Sequence, residues 1–71
     1  SSLLTVNESV QTGVDGQTIF LTPSQISDIK KVHVYRNGVR INSTYINSNS
    51  IKLEDGVSCV SGDEIRIVQY N

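Results

Sequence analysis

Apolar and polar positions alternate with period two along residues 31–41, KVHVYRNGVRI, and the alternation resumes beyond Asn37-Gly38. Both residues of that dipeptide tolerate positive φ, and between two alternating runs they form the strongest short-range hairpin signal a sequence carries. With Arg36 and Val39 closing a type I′ turn, Tyr35 opposes Arg40 and Val34 opposes Ile41. Val32, Val34, Val39 and Ile41 then share one face of the ribbon. That face needs a cover, and the apolar segments able to supply it are TIFL (18–21), IKL (51–53) and EIRIVQY (64–70).

The same pattern predicts the other elements. Residues 17–22 form a strand with Ile19 and Leu21 on one side and Thr18 and Phe20 on the other. In TPSQISDIKK, Thr22 can cap, Pro23 suits a first helical position, Gln25 completes a capping box, and Ile26 and Ile29 face one way, which predicts one or two helical turns closing an end of the core. Tyr45 and Ile46 lie between polar residues, and residues 47–50 make a turn. Ile51 and Leu53 share a face; 54–56 and 61–63 are turns. In the last strand Ile65 and Ile67 face one way while Glu64, Arg66, Val68 and Tyr70 face the other, a side that starts charged and ends apolar. Toward the beginning, Val6, Val10 and Val14 fall four apart, but Gly13, Gly16 and the lack of helix formers argue against a helix. Residues 1–15 are therefore read as an N-terminal arm with one short strand, able to lie along a sheet edge of its own subunit or of a neighbour, and 16–71 as the folded domain. The expected fold is all-β: a small antiparallel β-sandwich or partly open barrel of about five to seven strands with one short helical turn. Its expected core is Ile19 or Phe20, Val32, Val34, Ile41, Ile51, Leu53, Ile65 and Ile67.

Composition strengthens the fold class and narrows the function. Val and Ile number 17, against four Leu and no Met or Ala, a bias toward side chains that suit a pleated sheet. A 71-residue chain buries only about 60% of the surface it exposes when unfolded, so its core is marginal without a staple. A single cysteine, Cys59, permits no internal disulfide, and a single histidine, His33, no ordinary zinc site. Association with a partner is the staple that remains. The net charge of −1 with scattered Lys and Arg provides neither a stripe for nucleic acid nor an anchor for a membrane. No stretch resembles a signal peptide or reaches the length of a transmembrane helix, so a soluble chain made in a cytoplasm is expected.

Candidate chemistry is sparse. His33 alternates with Val32 and Val34 and falls on the outer face of the sheet, with no nucleophile placed beside it by a motif. Glu54-Asp55 and Asp63-Glu64 fit turns and a strand start better than a calcium loop. Cys59, between Val57 and Val60, reads as a small core hydrophobe. Asn7-Glu8-Ser9 and Asn42-Ser43-Thr44 match the glycosylation pattern, which matters only in a eukaryotic secretory pathway. No catalytic, cofactor-binding or metal-binding residue is assigned, and the protein is expected not to be an enzyme.

The order GQTIFLT (16–22), VHVYRNGVRI (32–41), a Tyr-containing turn (Tyr45) and SIKLEDGVSCVSGDEIRIV (50–68) resembles a small β-sandwich module of tail-fibre, head-fibre and related virion proteins of tailed bacteriophages. The positions that match are Gly16, Gln17, Phe20 and Leu21; Val32, Val34, Asn37, Gly38 and Val39; Tyr45; Ile51 and Leu53; and Gly62, Asp63, Ile65 and Ile67. The segment between the first two strands is longer and more helix-like than in that module, and residues 1–15 have no counterpart. The resemblance implies a non-enzymatic structural part of a virion, made in the cytoplasm of the host bacterium: a fibre or fibre-base module, or a capsid-decorating or connector protein. Such a part works by symmetric self-assembly, a trimer being favoured, and by docking on other virion proteins. A polar surface with 21 Ser, Thr and Asn residues agrees with hydrated contacts. Leu3, Leu4 and Val6, together with Val68 and Tyr70, are the residues expected at or near such a contact, and Asn37-Gly38 the turn. The alternative is a carbohydrate-binding β-sandwich in which Tyr35, Tyr45 or Tyr70 stacks on sugars.

Overall fold

The computed structural model describes residues 6–70, in which seven strands form two antiparallel sheets. The strands are β1 (Val6–Thr12), β2 (Ile19–Leu21), β3 (Val32–Arg36), β4 (Val39–Ile41), β5 (Ser43–Asn47), β6 (Ser50–Leu53) and β7 (Glu64–Tyr70). The larger sheet has the order β1-β7-β3-β4 and the smaller β2-β6-β5. The all-β sandwich with one short helical turn is thus the observed fold, and it is not a closed barrel. The central hairpin has the register its sequence predicts, with Val34 opposite Ile41, Tyr35 opposite Arg40 and Arg36 opposite Val39. Asn37 (φ 50°) and Gly38 (φ 85°) are both left-handed, as a type I′ turn requires.

Side-chain alternation then places one face of each sheet inward. Val32, Val34, Ile65 and Ile67 from the larger sheet meet Phe20, Ile51 and Leu53 from the smaller, and Ile26 and Cys59 enter from the connections. The core position left open between Ile19 and Phe20 belongs to Phe20, which pairs with Ile51; Ile19 faces out. Ile41 packs only at the margin, and Val39, beside the turn and beyond the cover, is exposed.

Three expectations change. First, the helical turns predicted over 22–31 reduce to a single 3₁₀ turn, Ile29–Lys31, capped by Asp28, whose Oδ1 accepts from Lys30 N at 3.0 Å. The Thr22 hydroxyl instead donates to Ser24 O, and the N–H groups of Thr22 and Ile26 go to Asn49 O and Ser48 O. Donors spent on the β5–β6 turn cannot build a helical ladder, so the segment runs as an irregular lid over one end of the core. Second, Tyr45 lies on strand β5, not in a turn. Third, the short strand expected in the arm is a full seven residues, 6–12, and of the two edges open to it takes that of its own chain, paired with β7 along its whole length. Leu3 and Leu4 lie outside the described residues.

Where β1 runs beside β2, a side-chain bond ties the two sheets. Gln11 Nε2 donates to Leu21 O at 2.7 Å between β1 and β2. Where the chain crosses from β4 to β5, Glu54 N donates to Asn42 O at 3.0 Å and the Glu54 carboxylate accepts from Asn42 N at 3.1 Å, which extends the β5–β6 pairing by one position. Between β1 and β2 the chain passes so close to the 59–63 segment that a Cβ on Gly13 would lie 2.6 Å from Cys59 Sγ and 2.9 Å from Cys59 Cβ. Cys59 is buried, and because its Cβ is fixed to the backbone a side-chain rotation cannot relieve the 2.9 Å approach. Gly13→Ala should therefore destabilise the fold by about 1–3 kcal/mol through overpacking. Urea denaturation checks this, and an unchanged midpoint would mean that the two segments are not in contact.

Candidate docking surface

Two features of the described residues rise above a plain sandwich: a polar clamp at the hairpin tip and the outer face of the larger sheet. The clamp centres on Asp63. Its Oδ2 accepts from Arg36 Nε at 3.0 Å and Val60 N at 2.8 Å, and its Oδ1 accepts from Asn37 Nδ2 at 3.0 Å. Asn37 is bonded a second time to the start of β7: its N–H donates to Glu64 O at 2.8 Å, and its Oδ1 accepts from Glu64 N at 2.9 Å. The Asn-Gly turn and the Gly62-Asp63 turn, 24 positions apart by number, are thereby one unit. Backbone donation from Val60, then the Asn37 amide and Arg36, hold the Asp63 carboxyl below its ordinary pKa.

The outer face of the larger sheet is built by register. Val6 stands opposite Tyr70; Glu8, Val68 and His33 form the next row; Val10, Arg66, Tyr35 and Arg40 the row after; Thr12 and Glu64 the last. His33 packs edge-on against Tyr70, ring centres 5.1 Å apart. Arg66 lies between two carboxylates, 2.8 Å from Glu8 and 3.6 Å from Glu64, which raise its pKa and keep it charged. Val6 and Val10 are 52% and 53% exposed, while Val68 and Tyr70 are half-buried. The sheet thus presents apolar and aromatic side chains around one largely neutralised ion cluster.

Of the residues expected at a contact, the structure brings Val6, Val68 and Tyr70 into one patch, and Leu3 and Leu4 lie outside the described residues. The tyrosines considered for sugars do not share a surface: Tyr35 and Tyr70 are on this face, two rows apart, whereas Tyr45 is on the smaller sheet, 54% exposed. His33 takes its expected outer-face place. Cys59 is buried, and burial followed by the nearby Asp63 charge pushes its thiol pKa up, the opposite of a reactive cysteine. Among the described residues no cluster of His, Cys, Asp and Glu could hold a metal ion, and no helix is long and apolar enough to cross a membrane.

Two structural residues escaped the sequence reading. Gln69, on the inner face of β7, is buried; its Oε1 accepts from Ser24 N at 3.1 Å and its Nε2 donates to Gln25 O at 2.8 Å. It fastens the lid to the sandwich. Its period-two placement after Ile65 and Ile67 was the available signal, masked by its polarity. Glu8, the partner of Arg66, had no signal in a segment without firm strand character. No protein-family model, no curated protein and no solved structure matches the chain.

Two outcomes follow from the clamp. Gly38→Val puts a β-branched residue at φ 85° and should lower the melting temperature clearly; an unchanged value would mean the turn is of another type. Asp63 has a lower pKa folded than unfolded, so its stabilisation is complete above the unfolded value and is lost as pH falls through the folded one. Thermal melts should decline from about pH 5 downward, and Asp63→Asn should be less stable at neutral pH with the gap closing in acid. A gap independent of pH would show that the carboxylate charge contributes nothing.

Proposed function

We propose that this chain is a non-enzymatic structural protein of a bacteriophage virion, a fibre, fibre-base, decorating or connector part that assembles with copies of itself and docks on neighbouring virion proteins. The observation that carries the reading is the outer face of the larger sheet. Val6, Val10, Val68, Tyr70, Tyr35 and His33 stand together there, and the charged residues on the β1–β7 side of the patch, Glu8, Arg66 and Glu64, are paired with one another, while Arg40 lies exposed at the β4 margin. A face of that make-up releases water on contact at little electrostatic cost. The resemblance of residues 16–70 to virion sandwich modules supports the reading from the sequence side. The clamp gives the matching Asn37-Gly38 and Gly62-Asp63 positions a mechanical role, since a part that bears load gains from a hairpin tip fixed to the closing strand.

Because β1 belongs to the sheet, removing residues 1–14 would strip β7 of its neighbour and test folding rather than docking. Solution mass by light scattering, with a glycan array in parallel, tests the reading on the intact chain. A homo-oligomer that retains no glycan is the expected result. A monomer that binds glycans, with binding lost in Tyr45→Ala, would replace the virion reading by the carbohydrate-binding one.

A further inference from the structure

We infer that the free edge of β1 is a pairing site for a second copy of this chain, β1 against β1 in antiparallel fashion, joining two larger sheets into one across a twofold axis. The inference deepens the self-assembly reading above and rests on it. It begins with the direction of the backbone. Gly13 turns both polar groups toward the 62–63 turn, its N–H donating to Asp63 O at 2.8 Å and its carbonyl accepting from Gly62 N at 3.1 Å. Alternation back along the strand points the backbone groups of Asn7, Ser9 and Gln11 at β7 and those of Val6, Glu8, Val10 and Thr12 outward.

The other sheet edges are each blunted. On β2, Thr18 O accepts from Leu53 N and Thr22 N donates to Asn49 O, so Ile19 and Leu21 carry the outward groups. Both of their carbonyls are already capped by glutamine amides, Ile19 O by Gln17 at 3.0 Å and Leu21 O by Gln11 at 2.7 Å. β4 has three residues, and β5 is interrupted by an irregularity between Tyr45 and Asn47. β1 is seven residues long and regular, without proline or lysine, and its one charge, Glu8, is held by Arg66 of the same chain. Short strands, capped groups and bulges are how edges are kept from pairing, and among the described residues β1 has none of them.

The strand also complements itself. Outward groups on even-numbered residues require even residues to bond with even ones. Centred on Ser9, this sets Val6 opposite Thr12, Asn7 opposite Gln11 and Glu8 opposite Val10 of the second copy, using the whole strand. The two Glu8 carboxylates are not opposed. The outer faces become continuous through Val10, so the apolar patch of one copy extends into that of the other.

Light scattering and sedimentation on the full chain and two kinds of variant test this. Val10→Pro removes an outward N–H and leaves the β7 ladder intact, so circular dichroism should be unchanged while the number of copies per particle halves. Val10→Glu opposes Glu8 of the second copy and should weaken pairing about threefold to tenfold, whereas Val10→Lys should strengthen it. Within one chain the order is reversed, because Val10 lies opposite Arg66, so an effect on the monomer alone would move the two variants the other way. An assembly whose mass is unchanged in Val10→Pro, or affinities in the reverse order, would overturn the edge pairing and leave self-assembly standing through another surface. A wild-type chain that is monomeric at every concentration would overturn both.

Discussion

The bonds around the Asp63 carboxylate set the geometry on which the rest of the sandwich depends. Arg36 and Asn37 reach it from the hairpin, and Val60 from the turn that carries it. With Asn37 also exchanging bonds with Glu64, β7 can pair with β3 only in the register that puts Val34 beside Ile67 and Arg36 beside Ile65. A slip of one residue would turn Ile65 and Ile67 to water and Arg66 into the core. In a chain with so small a core, a fixed register is worth more than any single contact, because one error exposes Ile65 and Ile67 together and buries a charge in their place.

Legibility in the sequence followed how local each determinant is. The β3–β4 hairpin was readable to the residue because Asn37-Gly38 determines its turn without help from the rest of the chain. β7 was readable because Ile65 and Ile67 alternate with charged neighbours. β1 was not, since as an edge strand it buries little on either side: its valines sit on the half-wet outer face, and Asn7, Ser9 and Gln11 occupy the inner one. The segment 22–31 misled for a different reason. A valid capping box lost to tertiary bonds, as Thr22 and Ile26 gave their N–H groups to the β5–β6 turn, and only Asp28 capped a turn. Phe20 over Ile19 depended on which side of β2 faces Ile51, which the strand's own sequence, apolar at both positions, does not decide.

The candidate site was legible in part. The change from charged to apolar along the outer side of β7 marked Val68 and Tyr70, and Val6 was marked as one of the few apolar residues at the start of the chain, with Leu3 and Leu4. That these meet is a consequence of β1 pairing with β7, which no local pattern stated. Gln69 shows the converse limit: a polar residue in an inward position reads as an irregularity until the lid it bonds is in place.

A sandwich of four strands over three has more edge than its core can hide, and the edges here are treated unequally. Glutamine amides occupy the carbonyls of β2, brevity limits β4, and an irregularity interrupts β5, but β1 keeps an unbroken register beside the apolar outer face, with nothing among the described residues on its outward groups. Selection against aggregation acts on every edge alike, so unequal treatment in one small domain points to an edge with a use. The valines on β1 fit the same account. A strand kept only to cover β7 would gain solubility from polar residues at the positions of Val6 and Val10, whereas a strand that continues into a neighbour gains from apolar ones. The exposed valines and the open edge lie on the same seven residues, and a single contact would cover both.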